Sequence, residues 1–253
     1  MNFIENDIQQ QLTEINTFEA GVSIRFAPNE QFLQGRQYRT PVFTKFPVLT
    51  LSYNAGVSIL GGDHNYHRVT FNLFKKFNLS TLGHTLFEIG GGKIFGENLP
   101  YVLLHIPRAN QTFAYQLRSY NLMNFLEFAT DQYAETYMQH FFGGFFLNRV
   151  PLVKKLKLRE VISAKVLWGR FTDLNNPELN PQLPQFQTNA DGIPRTYSLA
   201  EEPYIEVSAG LYNIFRFLRI DAVQRLTYLD NPDIPQLFGV KGLGIRARFK
   251  VDF

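Results

Sequence analysis

The sequence contains no cysteine and only one tryptophan among its 253 residues. The absence of cysteine excludes a disulfide framework, thiolate catalysis and a zinc–thiolate site. Charged residues are scarce, at 19% against the roughly 25% of typical soluble domains. No run of about 18 uninterrupted apolar residues is present, which excludes a membrane-spanning helix. The net charge of +3 is too small to indicate nucleic-acid binding.

The N-terminal residues carry no targeting signal. The stretch MNFIENDIQQQLTEIN (1–16) contains acidic residues and lacks the apolar core of a signal peptide. We therefore expect either a cytoplasmic protein or a fragment whose true start lies upstream of Met1.

Alternation of apolar and polar residues is the main signal in the sequence. In TFEAGVSIRF (17–26), every second residue from Phe18 to Phe26 is apolar, and the residues between them are glutamate, glycine, serine and arginine. Such period-two alternation predicts β-strands. It predicts nine of them, at 15–27, 46–58, 65–77, 83–95, 133–147, 155–171, 202–213, 216–229 and 241–253.

The lengths of the strands and of their connections favour a membrane barrel. Most predicted strands have about 12–15 residues, whereas strands of soluble proteins average about 5–6. Short connections near 78–82, 148–154 and 213–215 alternate with long ones at 97–132, 172–201 and 230–240. Short turns at one end and long loops at the other are typical of transmembrane β-barrels. The expected fold class is all-β, an antiparallel transmembrane β-barrel with about 9–10 strands in this chain, forming the C-terminal part of a larger barrel.

The composition of the two strand faces favours an inverted arrangement. In an outer-membrane barrel, apolar side chains face lipid and polar side chains face the lumen, the inverse of a soluble barrel. The polar set here is rich in Gly, Ser, Thr and Tyr, with charges of both signs. Such charges fit an ion-pair network that fills a small lumen or, as the alternative, a lining that sets pore selectivity. The predicted lumen-facing charges are Glu19, Arg25, Lys157, Arg159, Lys165, Glu206, Asp221, Arg225, Arg246, Arg248 and Lys250.

The last predicted strand, GLGIRARFKVDF (242–253), ends on an aromatic residue after alternating apolar residues. This ending resembles the C-terminal signal by which bacterial outer-membrane barrels are recognised by their assembly machinery. The residues of that signal here are Phe249, Val251 and Phe253.

The predicted orientation follows from this end. With Phe253 at the periplasmic rim, residues 97–132 and 172–201 become extracellular excursions. Bacterial single-chain barrels have even strand numbers, so nine strands predict either missing upstream sequence or a strand hidden in 97–132. Within that segment, NLMNFLEF (121–128) is compatible with a short helix or with a strand.

Several stretches resemble one family. They are TKFPVLTLSYNAGV, GGGKIFGENLPYVLLHI, the block from Tyr120 to Gly169 and the C-terminal strand. They resemble the barrel region of an uncharacterised Bacteroidota outer-membrane family whose members usually carry a carboxypeptidase-regulatory-like domain ahead of the barrel. The chain reads MQHFFGG where that family has an EHHFNG-like string, so Met138, Gln139 and Phe142 depart from it. The resemblance implies no established activity, and the similarity to BamA-type barrels is more distant.

No residue pattern predicts catalysis, a metal site or a cofactor. Asp63, His64 and His67 in DHNYH are too few ligands for a metal and fit a polar hairpin loop. The glycines of IGGGKIFG (89–96) lack the order of a phosphate-binding loop and predict relief of crowding, a bend or a bulge. The basic run RVPLVKKLKLR (149–159) predicts a solvated turn beside lipid headgroups, with docking of a periplasmic partner as the alternative.

The expected function is that of a bacterial outer-membrane β-barrel protein with a structural, assembly or transport role and no enzymatic activity. The whole chain, 1–253, is expected to be one barrel domain that lacks its N-terminal part. Expected partners are outer-membrane lipid, the barrel assembly machinery and a periplasmic or outer-membrane protein, without nucleic acid. The alternative is a soluble β-barrel that binds a hydrophobic ligand.

Overall fold

The computed structural model of the chain describes residues 15–42, 45–59, 61–186, 188, 192–199, 202–231 and 233–249. It is an all-β structure whose strands, in chain order, are β1 (Glu19–Phe26), β2 (Gln31–Gln34), β3 (Arg39–Val42), β4 (Val48–Gly56), β5 (Tyr66–Asn78), β6 (His84–Phe95), β7 (Gln132–Phe141), β8 (Arg159–Arg170), β9 (Tyr204–Ile214), β10 (Leu218–Arg225), β11 (Gln236–Leu237), β12 (Val240–Lys241) and β13 (Leu243–Phe249).

Nine of these strands form one antiparallel sheet in the order β1-β4-β5-β6-β7-β8-β9-β10-β13. They correspond one to one with the nine strands predicted from alternation, and the all-β antiparallel class is confirmed. The hairpins β2–β3 and β11–β12 lie in the connections and were not predicted. Each is short, so its alternation is too brief to stand out in the sequence.

Two strand boundaries differ from the prediction at the connection between β7 and β8. The strand predicted at 133–147 ends at Phe141, because Gly143 and Gly144 adopt φ values of +66° and +90° and turn the chain. The strand predicted to begin at 155 begins at Arg159. Lys157 adopts φ +54° and therefore lies in the connection, outside the sheet.

Residues 97–131 contain no strand of the sheet, so the hypothesis of a strand hidden there is wrong. Their regular structure is one 3-10 turn, Tyr101–Leu103, and NLMNFLEF forms neither a helix nor a strand. Within the described residues, β1 and β13 are the two edges of the sheet and do not pair with each other. The sheet is therefore open, and closure into the predicted barrel is not seen.

The two faces of the sheet have opposite chemistry, and the polar one is covered. Lys165 and Asp221 are 1% and 0% exposed, whereas Ile24 and Phe249 on the other face are 66% and 69% exposed. This is the inverse of a water-soluble sheet, which buries its apolar side. We call the two sides the polar face and the apolar face.

Two segments cover the polar face. They are residues 97–131, which we call the inner segment, and residues 171–199. Asn175 joins them, because its Nδ2 donates to Gly96 O at 3.0 Å and its Oδ1 accepts from Leu99 N at 3.0 Å. Aromatic rings contribute strongly to the buried side chains between these segments and the sheet, and one cluster consists of Tyr120, Met123, Phe128, Tyr137, Leu167, Leu199 and Tyr204.

Helix is a minor component of the described chain. The α-helix α1 (Pro151–Lys154) has four residues and lies in the connection between β7 and β8. No helix among the described residues has the length and apolar character needed to cross a membrane.

Candidate functional site

Lys165 and Glu206 form a buried ion pair in the middle of the polar face. They face each other on β8 and β9, with Nζ and Oε1 3.6 Å apart. The Lys165 ammonium also donates to Gln116 O at 2.9 Å and to Ser119 O at 2.5 Å. The Glu206 carboxylate accepts from the backbone N–H groups of Asn121 (3.0 Å) and Leu122 (2.9 Å). The pair therefore holds both ends of one turn of the inner segment.

A second buried pair, Arg219 and Asp221, lies on β10 next to Tyr115 of the inner segment. Its two hydrogen bonds measure 2.6 and 2.8 Å. The Arg219 guanidinium stacks 4.2 Å from the centre of the Tyr115 ring, and the Tyr115 hydroxyl bonds to Ser163 Oγ at 2.8 Å. Burial raises the pKa of Tyr115, so this hydroxyl stays protonated. The Tyr115 side chain therefore packs against the polar face at β8 and β10.

A third pair links the sheet to the inner segment directly. Arg225 of β10 donates two hydrogen bonds to the Glu127 carboxylate, at 2.9 and 2.6 Å. Asn231 Nδ2 donates to the same carboxylate at 2.8 Å. Both charged side chains are almost completely buried. This bidentate pair joins residues 98 positions apart in the chain.

Two further contacts attach the inner segment to other strands. Arg118 Nε donates to Glu88 Oε2 of β6 at 2.7 Å. Arg246 Nη2 of β13 donates to Asn121 O at 2.8 Å. The inner segment also reaches the sheet edge, because Tyr115 N donates to Ala247 O at 2.7 Å and Ala247 N donates to Phe113 O at 3.0 Å.

Together, these contacts attach the inner segment to the polar face of the sheet. Removing charges from water is costly unless they are paired and hydrogen-bonded. Lys165, Glu206 and Arg225 have hydrogen-bond partners in the inner segment, whereas Arg219 and Asp221 pair with each other on β10. The arrangement therefore ties the position of the inner segment to the charges of the strands.

A polar cleft of about 720 Å³ remains beside the inner segment. It lies between β1, β4 and β5 on one side and residues 104–108 on the other. Its charged or titratable lining residues are Glu19, Arg68, His105, Arg108, Tyr133 and Glu135. Among the described residues, the buried Arg68 Nε and His105 Nε2 have no hydrogen-bond partner.

His105 stands at this cleft as a neutral ring. Burial, followed by the charges of Arg68 and Arg108, lowers the pKa of His105 to about 3. The imidazole stacks on Tyr133 with ring centres 3.4 Å apart. Its backbone pairs with that of Thr130.

The predicted lumen-facing charges fall into three groups. Lys165, Glu206, Asp221 and Arg225 are buried on the polar face, and Arg246 and Arg248 are half-buried there. Glu19, Arg25 and Arg159 are exposed near the ends of their strands, and Lys157 lies in a connection. Lys250 lies outside the described residues, as do Val251 and Phe253 of the predicted assembly signal. Phe249 is described and exposed on the apolar face.

The exposed charges have local partners. Glu19 accepts from Asn54 Nδ2 at 2.7 Å and from the Tyr66 hydroxyl at 2.8 Å. Arg25 pairs with Glu30, and Arg159 Nη1 donates to Gly143 O at 2.9 Å. These contacts lie outside the network that holds the inner segment.

The motif DHNYH does not assemble into a cluster. Asp63 accepts from Asn16 N at 2.7 Å, while His67 Nδ1 contacts the Tyr53 hydroxyl at 2.8 Å on the apolar face. Over the described part of the chain, no group of three His, Asp or Glu side chains has a geometry that could hold a metal ion.

Three of the four glycines of IGGGKIFG, Gly90 to Gly92, lie inside β6, where the register with both neighbouring strands is continuous. A Cβ on Gly91 would stand 2.8 Å from the Phe71 ring, and one on Gly92 would stand 2.9 Å from the Tyr133 ring. These glycines therefore relieve crowding, which is one of the predicted alternatives, and no bulge forms at them.

A family model described as "Family of unknown function (DUF5686) C-terminal domain" matches residues 2–173. The chain belongs to the DUF5686 family. A search of curated proteins found no match.

The DUF5686 match covers strands β1 to β8 and the whole inner segment. Glu88, Glu127 and Lys165 lie within it, whereas Glu206, Asp221 and Arg225 lie beyond it. Two of the three buried pairs, Lys165–Glu206 and Glu127–Arg225, therefore join the matched range to the rest of the chain, and the third, Arg219–Asp221, lies beyond it.

Several residues of the site in this DUF5686 chain were not predicted from the sequence. Arg219 alternates in step with Asp221 and Arg225, so the same period-two count would have found it. Glu88 and Glu135 were hidden by the weaker alternation of β6 and β7. Glu127 had no such signal, because the inner segment has no strand period.

Proposed function

We propose that this chain forms part of the wall of a transmembrane β-barrel in the bacterial outer membrane, with a lumen occupied by the inner segment. The observation that carries the proposal is the inversion of the two faces: the charges are covered and the apolar side chains are exposed. A water-soluble sheet with this arrangement would expose a large apolar surface, which soluble monomers rarely do. A lipid bilayer is the solvent that suits it.

Strand length supports the same proposal. A transmembrane strand needs about 9–11 residues. Six of the nine sheet strands, β4 to β9, have 9 to 13 residues, whereas β1 and β10 have eight and β13 has seven described residues. Closure would require β1 and β13 to pair at their open edges, and we propose that further strands of the barrel provide this pairing.

The occupied polar face favours a structural or assembly role over an open pore. The inner segment fills the space beside β7 to β10, and three buried ion pairs hold the surrounding charges in place. Transport would require the inner segment to move. The cleft beside β1, β4 and β5 is where the described polar face is less fully covered.

The single tryptophan provides the test. Trp168 lies on the apolar face of β8 and is 44% exposed. In vesicles, lipids brominated on their acyl chains should quench its fluorescence, and unheated protein should migrate differently from heated protein in gels. A monodisperse protein without detergent, with Trp168 unaffected by brominated lipid, would contradict the membrane proposal.

The alternative is a soluble β-barrel that binds a hydrophobic ligand. It predicts a monodisperse protein without detergent and no quenching of Trp168 by brominated lipid. No specific feature of the described residues supports it. The absence of enzymatic activity and the identity of protein partners stay predictions from the sequence.

A further inference from the structure

The connections at the two ends of the sheet differ strongly in charge. Because neighbouring strands are antiparallel, successive connections alternate between the two ends. The first end carries 27–47, 79–83, 142–158 and 215–217, and we call it the basic end. The second end carries 57–65, 96–131, 171–203 and 226–242, and we call it the acidic end.

The charge counts are opposite. The connections of the basic end contain eight Lys or Arg and one acidic residue, Glu30, for a net charge of +7. Without the inner segment, which lies along the polar face, those of the acidic end contain two Lys or Arg and eight Asp or Glu, for a net charge of −6. The basic residues of the basic end are Arg36, Arg39, Lys45, Arg149, Lys154, Lys155, Lys157 and Arg216.

The connection 142–158 concentrates this charge. It holds four of the eight basic residues and no acidic one. Leu152 and Leu156, which flank its lysines, are 78% and 64% exposed. Among the described residues, none of its basic side chains forms an ion pair with a carboxylate. Protruding apolar side chains among unpaired cations are typical of segments that lie at a lipid surface.

We propose that the basic end docks on anionic lipid headgroups, with residues 142–158 as the main contact. The inference rests on the proposed function, since it places the apolar face in the bilayer and the basic end at its surface. Charge complementarity carries it: eight cations would meet phosphate groups, while the acidic end would stand at the opposite surface. The exposed leucines would enter the boundary between headgroups and acyl chains.

The test compares vesicles of phosphatidylcholine with vesicles in which phosphatidylglycerol replaces part of it. Each Lys or Arg near an anionic surface contributes about fivefold in partition. The wild type should insert faster and with higher yield into the anionic vesicles, and high salt should remove the difference. Gel migration and Trp168 quenching both report insertion.

Two double variants separate the ends. K154Q/K155Q should lose about an order of magnitude or more of the preference for anionic vesicles. R195Q/K241Q removes the same charge at the acidic end and should keep the preference. Both variants change exposed side chains, so the sheet should form in each.

The outcomes are distinct. No insertion into any vesicle would overturn the proposed function and this inference with it. Insertion that is equal in both vesicles, or an equal loss in both variants, would overturn the inference alone. Binding of a periplasmic protein to the basic end, without a preference for anionic vesicles, would also overturn the inference, because the partner would then be a protein.

Discussion

Glu127 shows how single residues stabilise this molecule. Its carboxylate accepts hydrogen bonds from Arg225 and Asn231 of the sheet side and from the backbone N–H of Asn124 in its own segment. The Lys165–Glu206 and Arg219–Asp221 pairs are buried in the same way. A buried pair adds little net stability over apolar residues, but breaking it leaves an uncompensated charge.

Glu127→Gln should therefore be strongly destabilising. It leaves the Arg225 guanidinium buried without a counter-charge, a change that typically costs about 3–5 kcal/mol. The measurement is the urea midpoint of the inserted protein in phosphatidylcholine vesicles. Asp230→Asn is the matched control, because its ion pair with Lys241 is exposed and 3.9 Å long. Equal midpoints for the two variants would show that the buried pair is dispensable.

His105 gives the inner segment a dependence on pH. Its folded pKa of about 3 lies below the ordinary value of 6.5, so protons bind preferentially when the segment leaves the sheet. Stability is therefore complete above pH 6.5 and falls as pH decreases towards 3, by about 1.4 kcal/mol per pH unit. The wild type should lose more thermal stability between pH 7.5 and pH 5 than His105→Phe, which keeps a ring on Tyr133. A parallel loss in both proteins would assign the effect to other groups.

At the scale of elements, the inner segment and the strands depend on each other. The strands supply charges that need partners, and the inner segment supplies backbone amides, carbonyls and Glu127 as those partners. Tyr115 of the inner segment contacts both β8 and β10, since it touches Ser163 and Arg219. The adjacent Phe113 has a ring that is 86% exposed and makes no such contact.

Truncation of Tyr115 should open the proposed barrel, whereas truncation of Phe113 should not. Tyr115→Ala removes the ring under Arg219 and leaves buried polar groups of the wall without a partner, so the inner segment should leave its place more often. Planar-bilayer recording should show current bursts that are rare in the wild type and in Phe113→Ala. If both variants conduct like the wild type, the inner segment does not occlude a pore.

At the scale of the whole molecule, the apolar face of the sheet is exposed and the polar face is covered. Exposed apolar side chains run across the sheet, from Val22 and Ile24 on β1 to Ile245 and Phe249 on β13. Because these side chains extend over the whole apolar face, the environment that suits this face is decided by the sheet as a whole and not by a single strand. In the proposed barrel, the opposite charges of the two ends would give this sheet a direction across the bilayer.

An arginine on the apolar face should distinguish lipid from water. Ile162 lies within β8 and is 40% exposed, so in a water-soluble sheet Ile162→Arg should cost little. In a bilayer, an arginine near the midplane costs about 2–4 kcal/mol and one near the interface less. We expect Ile162→Arg to lower the urea midpoint in vesicles more than Phe249→Arg at the end of β13. Near-wild-type midpoints for both would contradict lipid contact.

The nine strands and their two faces could be predicted because both depend on a local property. Successive side chains on a strand point to opposite sides, so period-two alternation marks a strand and its faces without any contact between distant residues. Lys165, Glu206, Asp221 and Arg225 were found in this way. The ends of strands were less certain, as Lys157 shows, because a turn depends on residues such as Gly143 whose conformation alternation does not report.

By itself, the sequence determined the nine strands of the main sheet and the chemistry of their two faces. Only the tertiary structure decided that residues 97–131 lie along the polar face, that Glu127 meets Arg225 and that Tyr115 fills the space between β8 and β10. The physical reason is that these contacts join an irregular segment to distant strands. Their energy comes from satisfying buried charges, which no periodicity in the chain records.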